Sequence, residues 1–282
     1  MFEHPVKRTV ISRISRRQDS VVTRFRDAAR REGRDDLSRG VVLIDGVHLL
    51  LDALRAELPV DLVLATTAML DTPTDEMDEL WERAAAAGCT VHEVTAGVMA
   101  AASPVKTPTG VVALAQWAPA PLDTIWTTQP SLVIGLVDVQ DPGNAGAAIR
   151  SADGLGATAV VMIGETADPG SPKALRGAMG STFRLPVTRA SLADTIAAAK
   201  TAGLQVVATL SPGENTVDVH AADLTKPTLL LLGNEGAGLP TDALAAANLR
   251  VSVHMRSGIN SFNVAVTAAL MLYEARAQRG ST

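Results

Sequence analysis

Short apolar runs alternate with stretches of helical period along the whole chain. Val41-Val42-Leu43-Ile44, Leu62-Val63-Leu64-Ala65 and Val91-His92-Glu93-Val94 read as strands. Between them, Val47 to Leu58 and Asp75 to Ala87 read as helices, the second ended by Gly88. Ahead of them Arg24-Phe25-Arg26-Asp27-Ala28-Ala29-Arg30 reads as a helix broken at Gly33. Strand and helix alternating through about Ala115 make a small α/β domain. Trp117-Ala118-Pro119-Ala120-Pro121, with Pro130 beyond, is the best linker, so the pattern predicts a domain over 1–115, a linker over 116–131 and a second domain over 132–282.

The second half alternates again. Strands are expected at Leu132–Val139, Ala159–Ile163, Leu204–Thr209, Thr228–Leu232 and Leu249–Val253, with helices at Asn144–Leu155, near Pro172–Met179, at Leu192–Ala202 and from about Ser261 to Arg279. Apolar runs such as Ala159–Ile163 and Leu229–Leu232 belong to a mostly parallel sheet covered on both faces. Ser261 or Asn260 is the expected N-cap of the last helix, which would put Ser261 and Asn263 at its first turn.

Two turns at strand ends carry candidate chemistry. Leu232 runs into Gly233-Asn234-Glu235-Gly236-Ala237-Gly238-Leu239-Pro240, whose three glycines let backbone groups approach a ligand closely. The carboxyl end of a parallel strand is the usual place for such a ligand. Asp138-Val139-Gln140-Asp141-Pro142-Gly143-Asn144-Ala145-Gly146 then leads by helical spacing to Arg150, which has only a glycine on the turn beneath it. The alternative reading of Arg150 is an ion pair with Asp153, three residues on. Gly154-Leu155-Gly156-Ala157-Thr158-Ala159 fits a dinucleotide pattern but precedes a strand instead of following one, which argues against a nucleotide-dependent oxidoreductase.

Composition narrows the setting. The chain has 282 residues, enough for two cores, and aromatic residues make up only 3%, too few for stacking platforms to dominate nucleic-acid recognition. No apolar run reaches the ~18 residues of a membrane span, and the N-terminus lacks the apolar core of a signal peptide, so a cytoplasmic protein is expected. Cys89 stands alone, which leaves no disulfide and no thiolate zinc site, and no metal is expected. Residues 1–40 carry eleven Lys or Arg against six Asp or Glu, so of a net charge of −5 this segment holds +5 and the remainder −10. A basic segment on an acidic body suggests a polyanion met at the N-terminus, with Arg13, Arg16 and Arg17 as candidate phosphate contacts.

Taken together, Asn144-x-Gly146-Ala147-x-x-Arg150, Leu232-Gly233-Asn234-Glu235-Gly236-x-Gly238-Leu239 and Met255…Ser261-Phe262-Asn263-Val264 resemble, in order and spacing, the three motifs of the SpoU (TrmH-like) RNA methyltransferases of the SPOUT class. The resemblance covers about residues 132–279, and residues 1–115 resemble the small RNA-binding domain that precedes it in many members, with Asp45-Gly46 and Thr109-Gly110-Val111-Val112-Ala113 as weaker echoes. It implies a deep trefoil knot, an obligate homodimer, and S-adenosylmethionine (AdoMet) as methyl donor without a metal. By motif position AdoMet would meet Gly233, Val253 and Phe262, with Gly238 in the same turn and Thr209 or Leu210 beside it. Asn144, Arg150, Glu235, Ser261 and Asn263 fall on catalytic or site-organising positions. His254, Ser257 and Phe262 stand where proline, glycine and leucine are usual, changes that bear on the pocket's shape.

The implied reaction is in-line attack of a ribose 2′-hydroxyl on a sulfonium methyl, for which the protein supplies positioning and removal of one proton. A guanidinium whose pKa exceeds ~12 is a poor base, so Arg150 reads as an organiser of the hydroxyl and phosphate that can also relay the proton. The expected substrate is rRNA of the 23S type, with tRNA as the runner-up. A non-catalytic RNA-docking or assembly factor on the same fold is the reading of a different class.

Overall fold

The computed structural model describes residues 10–30, 40–127, 131–213, 215–234, 236–256 and 261–280. The chain forms two compact units, one of Met1–Ala118 with Gly170–Phe183, the other of Pro119–Pro169 with Arg184–Thr282.

The first unit runs β1 (Val10–Ile14), α1 (Ser20–Ala29), β2 (Val41–Asp45), α2 (Val47–Arg55), β3 (Val60–Thr66), α3 (Thr67–Leu70), α4 (Asp75–Ala86), β4 (Thr90–Val94), α5 (Ala96–Ala102) and β5 (Val111–Gln116). Its sheet has the order β1-β4-β3-β5-β2, in which β1, β4 and β3 are parallel and β5 runs antiparallel to both β3 and β2. Side chains alternate across it with the period of two that a pleated strand imposes. Val42, Ile44, Val63, Ala65, Val111 and Ala113 pack to one face with Leu50, Leu54, Leu80 and Trp81 of α2 and α4. Leu43, Leu62, Leu64, Val112 and Leu114 pack to the other with Val22 and Phe25 of α1 and Val98 and Met99 of α5. Cys89 is buried in the first of these clusters, and desolvation pushes its thiol up to about 11.

Helix α4 starts where Thr74 accepts a hydrogen bond from the Met77 amide, with Asp75, Glu76 and Asp78 in its first turn. Arg55 of α2 grips Glu79 of α4 with two hydrogen bonds, at 3.0 and 2.7 Å, and Arg83 adds a third at 2.7 Å. These bonds hold the Glu79 carboxyl down at about 2. The basic helix begins four residues before Arg24, because Asp19 caps it on the Val21 amide. Its expected break at Gly33 lies outside the described residues.

The second unit runs β6 (Leu132–Val137), α6 (Pro142–Gly154) and β7 (Ala159–Ile163). After α7 (Pro172–Ala178) and α8 (Ser181–Arg184) it continues with β8 (Val187–Ala190), α9 (Leu192–Thr201), β9 (Gln205–Leu210), β10 (Val217–Asp218), β11 (Thr228–Leu232), α10 (Thr241–Ala246), β12 (Leu249–Ser252) and α11 (Val264–Gln278). All seven strands are parallel, in the order β10-β12-β9-β11-β6-β7-β8. Every side chain of β6, β7 and β11 is buried, and apart from Thr228 their apolar sequence is that of strands covered on both faces. α6 and α11 pack together beside this sheet. Residues 170–183, which include α7, group with the first unit, where Leu175 joins the cluster around Trp81 and Phe183 packs against it.

Candidate active site

Parallel strands bring their carboxyl ends to one edge, and four of the connections leaving that edge build the site. They are the segments after β6, β9, β11 and β12. A cavity of about 480 Å³ lies among the last three and the start of α11, within the size range of small-molecule sites. Thr209, Leu210, Gly233, Gly238, Val253 and Phe262, the six residues singled out for the cofactor, all line it. Leu239, Val251, Val264 and Met271 add apolar wall, and Ser211, Ser261 and Thr267 add hydroxyls.

The turn after β11 closes on itself. The Gly238 amide donates to the Asn234 carbonyl at 2.9 Å, and Gly238 sits at φ +70°. A Cβ at Gly233 would lie 2.4 Å from the Gly238 carbonyl carbon and 2.6 Å from the Leu239 nitrogen. Both are backbone atoms that cannot swing aside, so only glycine permits the turn. The Asn234 side chain completes it, its Oδ1 accepting from the amides of Gly236 at 2.8 Å and Ala237 at 3.0 Å. Glu235 lies outside the described residues.

After β6 the chain reverses at Asp138, a non-glycine residue at φ +55°. Its Oδ1 accepts from the Glu165 amide at 2.7 Å. Asp141 then caps α6 by accepting from the Asn144 amide at 2.9 Å, with Pro142 at the first helical position. The helix therefore starts two residues earlier than its sequence pattern suggests. Asn144 lies in the first turn, and its Oδ1 accepts from Nδ2 of Asn263 at 3.0 Å. Arg150, further along α6, is exposed and makes no hydrogen bond or ion pair among the described residues. The expected alternative, a pair with Asp153, is not formed: Arg184 holds the Asp153 carboxylate at 2.9 Å instead.

The start of α11 corrects the expected cap. Asn263, not Ser261, is the N-cap, accepting from the Ala265 amide at 2.9 Å. Ser261 stands before the helix and faces the cavity, and Asn260 and Ser257 lie outside the described residues. The structure thus brings together Asn144, Ser261 and Asn263 with the cofactor candidates, and puts Arg150 on the same helix as Asn144. Arg13, Arg16 and Arg17 are exposed on the first unit, Arg13 lying 3.6 Å from Glu93 and Arg17 against Gly97. Sequence reasoning missed Asn234, whose side chain also donates from Nδ2 to the Asp138 carbonyl at 2.8 Å. An asparagine in a glycine-rich turn reads as turn punctuation, and only contact between distant segments distinguishes it.

The chain belongs to the SpoU rRNA methylase family, whose model matches residues 131–273. An MRM3-like substrate-binding domain matches residues 24–113. Over 95% of both chains it is 31% identical to an uncharacterised tRNA/rRNA methyltransferase of Synechocystis sp.. It is also 31% identical to the 23S rRNA (guanosine(2553)-2′-O)-methyltransferase of Bacillus subtilis, over 83% of this chain and 88% of that one. The AdoMet-bound rRNA methyltransferase of Sinorhizobium meliloti superposes with a TM-score of 0.83 at 30% identity, covering 95% of this chain and 98% of the other.

Proposed function

We propose that the protein is an AdoMet-dependent RNA methyltransferase that modifies a ribose 2′-hydroxyl, with 23S-type rRNA as its substrate. One observation carries the reading. Ser261 and Phe262 line the cavity while the adjacent Asn263 bonds Asn144, so a pocket for a small molecule adjoins a polar cluster on α6, the helix that also presents Arg150. The S. meliloti structure holds AdoMet, and the B. subtilis relative acts on a 23S rRNA ribose.

The cavity's residues fit AdoMet. Apolar Leu210, Leu239, Val251 and Val253 suit an adenine ring, and the glycine turn brings main-chain donors and acceptors close, where the absence of a Cβ at Gly233 leaves the backbone bare. When bound, AdoMet supplies an electrophilic methyl group and its own leaving group. The chain's part is then positioning and charge. Arg150, exposed and unengaged among the described residues, is suited to hold an RNA phosphate and orient the 2′-hydroxyl. The Asn144 and Asn263 side chains present polar atoms beside the cavity and hold one another in place. The first unit, with Arg13, Arg16 and Arg17, receives the RNA.

The reading includes a homodimer, the trefoil knot and a cytoplasmic setting. Val266, Leu270 and Tyr273 form an exposed apolar stripe along α11, at 45%, 39% and 66% exposure, and Phe262, 39% exposed, stands just before the helix; this is the kind of surface a second copy covers. Among the described residues no helix is long and apolar enough to cross a membrane. The direct test is transfer of labelled methyl from AdoMet to total RNA from a strain lacking the gene, followed by mapping of 2′-O-methyl sites. A single new site in 23S rRNA is expected. Label confined to tRNA would move the substrate, and AdoMet binding without transfer to any RNA would make the protein a non-catalytic factor.

A further inference from the structure

We infer that Asn234 is a positioning residue that fixes the segment carrying Asn144 against the wall of the AdoMet pocket. The inference rests on the methyltransferase reading for its kinetic consequence, but not for its geometry. Asn234 lines the cavity and uses both ends of its amide. Its Oδ1 accepts the two amides that close the turn, a task that aspartate performs equally well. Its Nδ2 donates to the Asp138 carbonyl, 96 residues away in sequence, and this bond needs a donor that aspartate lacks.

Asp138 is a suitable anchor because it is immobilised from its other side. Its Oδ1 receives the Glu165 amide, and Gly164, at φ +64°, lies so close that a Cβ there would come within 2.2 Å of that oxygen. The next amide, of Val139, donates to Thr166 Oγ1 at 3.2 Å. Three residues beyond Asp138 the Asp141 cap starts α6, and Asn144 follows in its first turn. The bond from Asn234 therefore sets the height of the whole reversal relative to the pocket turn. An error there is carried directly into the position of Asn144 and, through the hydrogen bond its Oδ1 accepts, of Asn263.

The test compares Asn234→Asp with Asn234→Ala in the full chain. Three quantities are read: AdoMet affinity by calorimetry, the single-turnover rate of methyl transfer, and amide hydrogen exchange across residues 138–144. Asn234→Asp keeps the turn's acceptor and sets a carboxylate oxygen against the Asp138 carbonyl. AdoMet affinity is expected to hold, while the transfer rate falls by ~10–100-fold, the penalty of a small misplacement of reacting groups. Exchange across 138–144 should accelerate. Asn234→Ala, which adds no repulsion, should accelerate the same amides and also weaken AdoMet by ~10-fold, since two turn amides lose their acceptor. Wild-type exchange across 138–144 in both variants would overturn the inference. A wild-type protein that transfers methyl to no RNA would instead overturn the methyltransferase reading, and the exchange data would still decide the role of Asn234.

Discussion

Asn263 Nδ2 donates to Asn144 Oδ1 at 3.0 Å across 119 residues of chain, while Asn263 Oδ1 caps α11 on the Ala265 amide. One side chain thus starts a helix and secures a partner on another. A double-mutant cycle on the transfer rate follows from this geometry. Asn144→Ala and Asn263→Ala should each slow transfer by ~10-fold or more, and the double variant should be little worse than the slower single one, because side chains in direct contact couple. Only variants lacking Asn263 should lose the cap's ~1 kcal/mol in denaturant titration. Additive rate losses would show that the two side chains act independently and that their hydrogen bond plays no part in the reaction.

Arg150 offers the cleanest separation of binding from chemistry. It is exposed and unpartnered among the described residues, so Arg150→Ala should change stability by no more than ~0.5 kcal/mol. AdoMet affinity, measured by calorimetry, should not move. Methyl transfer in a tritium assay should fall by ~100-fold or more, the usual cost of removing a group that holds developing charge in place. Full activity would exclude Arg150 from the mechanism.

For the first unit the measurement is a salt series. If Arg13, Arg16 and Arg17 each meet one phosphate, replacing all three with Gln should lower the log–log slope of RNA affinity against salt by ~2–3. The lower figure is expected, because Arg13 already lies 3.6 Å from Glu93 and gives up part of that attraction on binding. An unchanged slope with folding intact would move the RNA footprint elsewhere.

The apolar stripe on α11 predicts an effect on assembly. Leu270→Glu places a charge at the centre of the row formed by Val266, Leu270 and Tyr273. Sedimentation should show a folded monomer, because the position is 39% exposed within one chain and supports no part of its core. AdoMet should bind more weakly to that monomer, since Phe262, just ahead of the stripe, also lines the cavity. A variant that stays dimeric would place the interface on another surface.

Most of the second unit is legible in its sequence, because Leu132–Val137 and, after Thr228, the four leucines of β11 carry no polar side chain and read as covered strands. Some of the elements missed take their identity from a neighbour. β1 has no apolar alternation of its own and is defined by pairing with β4. β8, four residues long, is defined by pairing with β7. The site divides the same way. The glycine turn is readable because its conformation is a local demand, whereas the Asn144–Asn263 and Asn234–Asp138 bonds span 119 and 96 residues and leave no periodic trace. The helix near Pro172 is legible as a helix, but nothing in its sequence says that Leu175 packs beside Trp81.

That last contact bears on the order in which the protein can mature. A chain leaves the ribosome N-terminus first, and the strands of the first unit are all available once Gln116 has emerged. Its apolar cluster still lacks Leu175 and Phe183, which arrive only after β6, α6 and β7 of the other unit have been made. The earlier-made unit therefore waits, with part of its interior uncovered, for residues translated after a large share of its neighbour. A pause in translation before Phe183 has left the ribosome would prolong that exposure, whereas one after it has emerged would not.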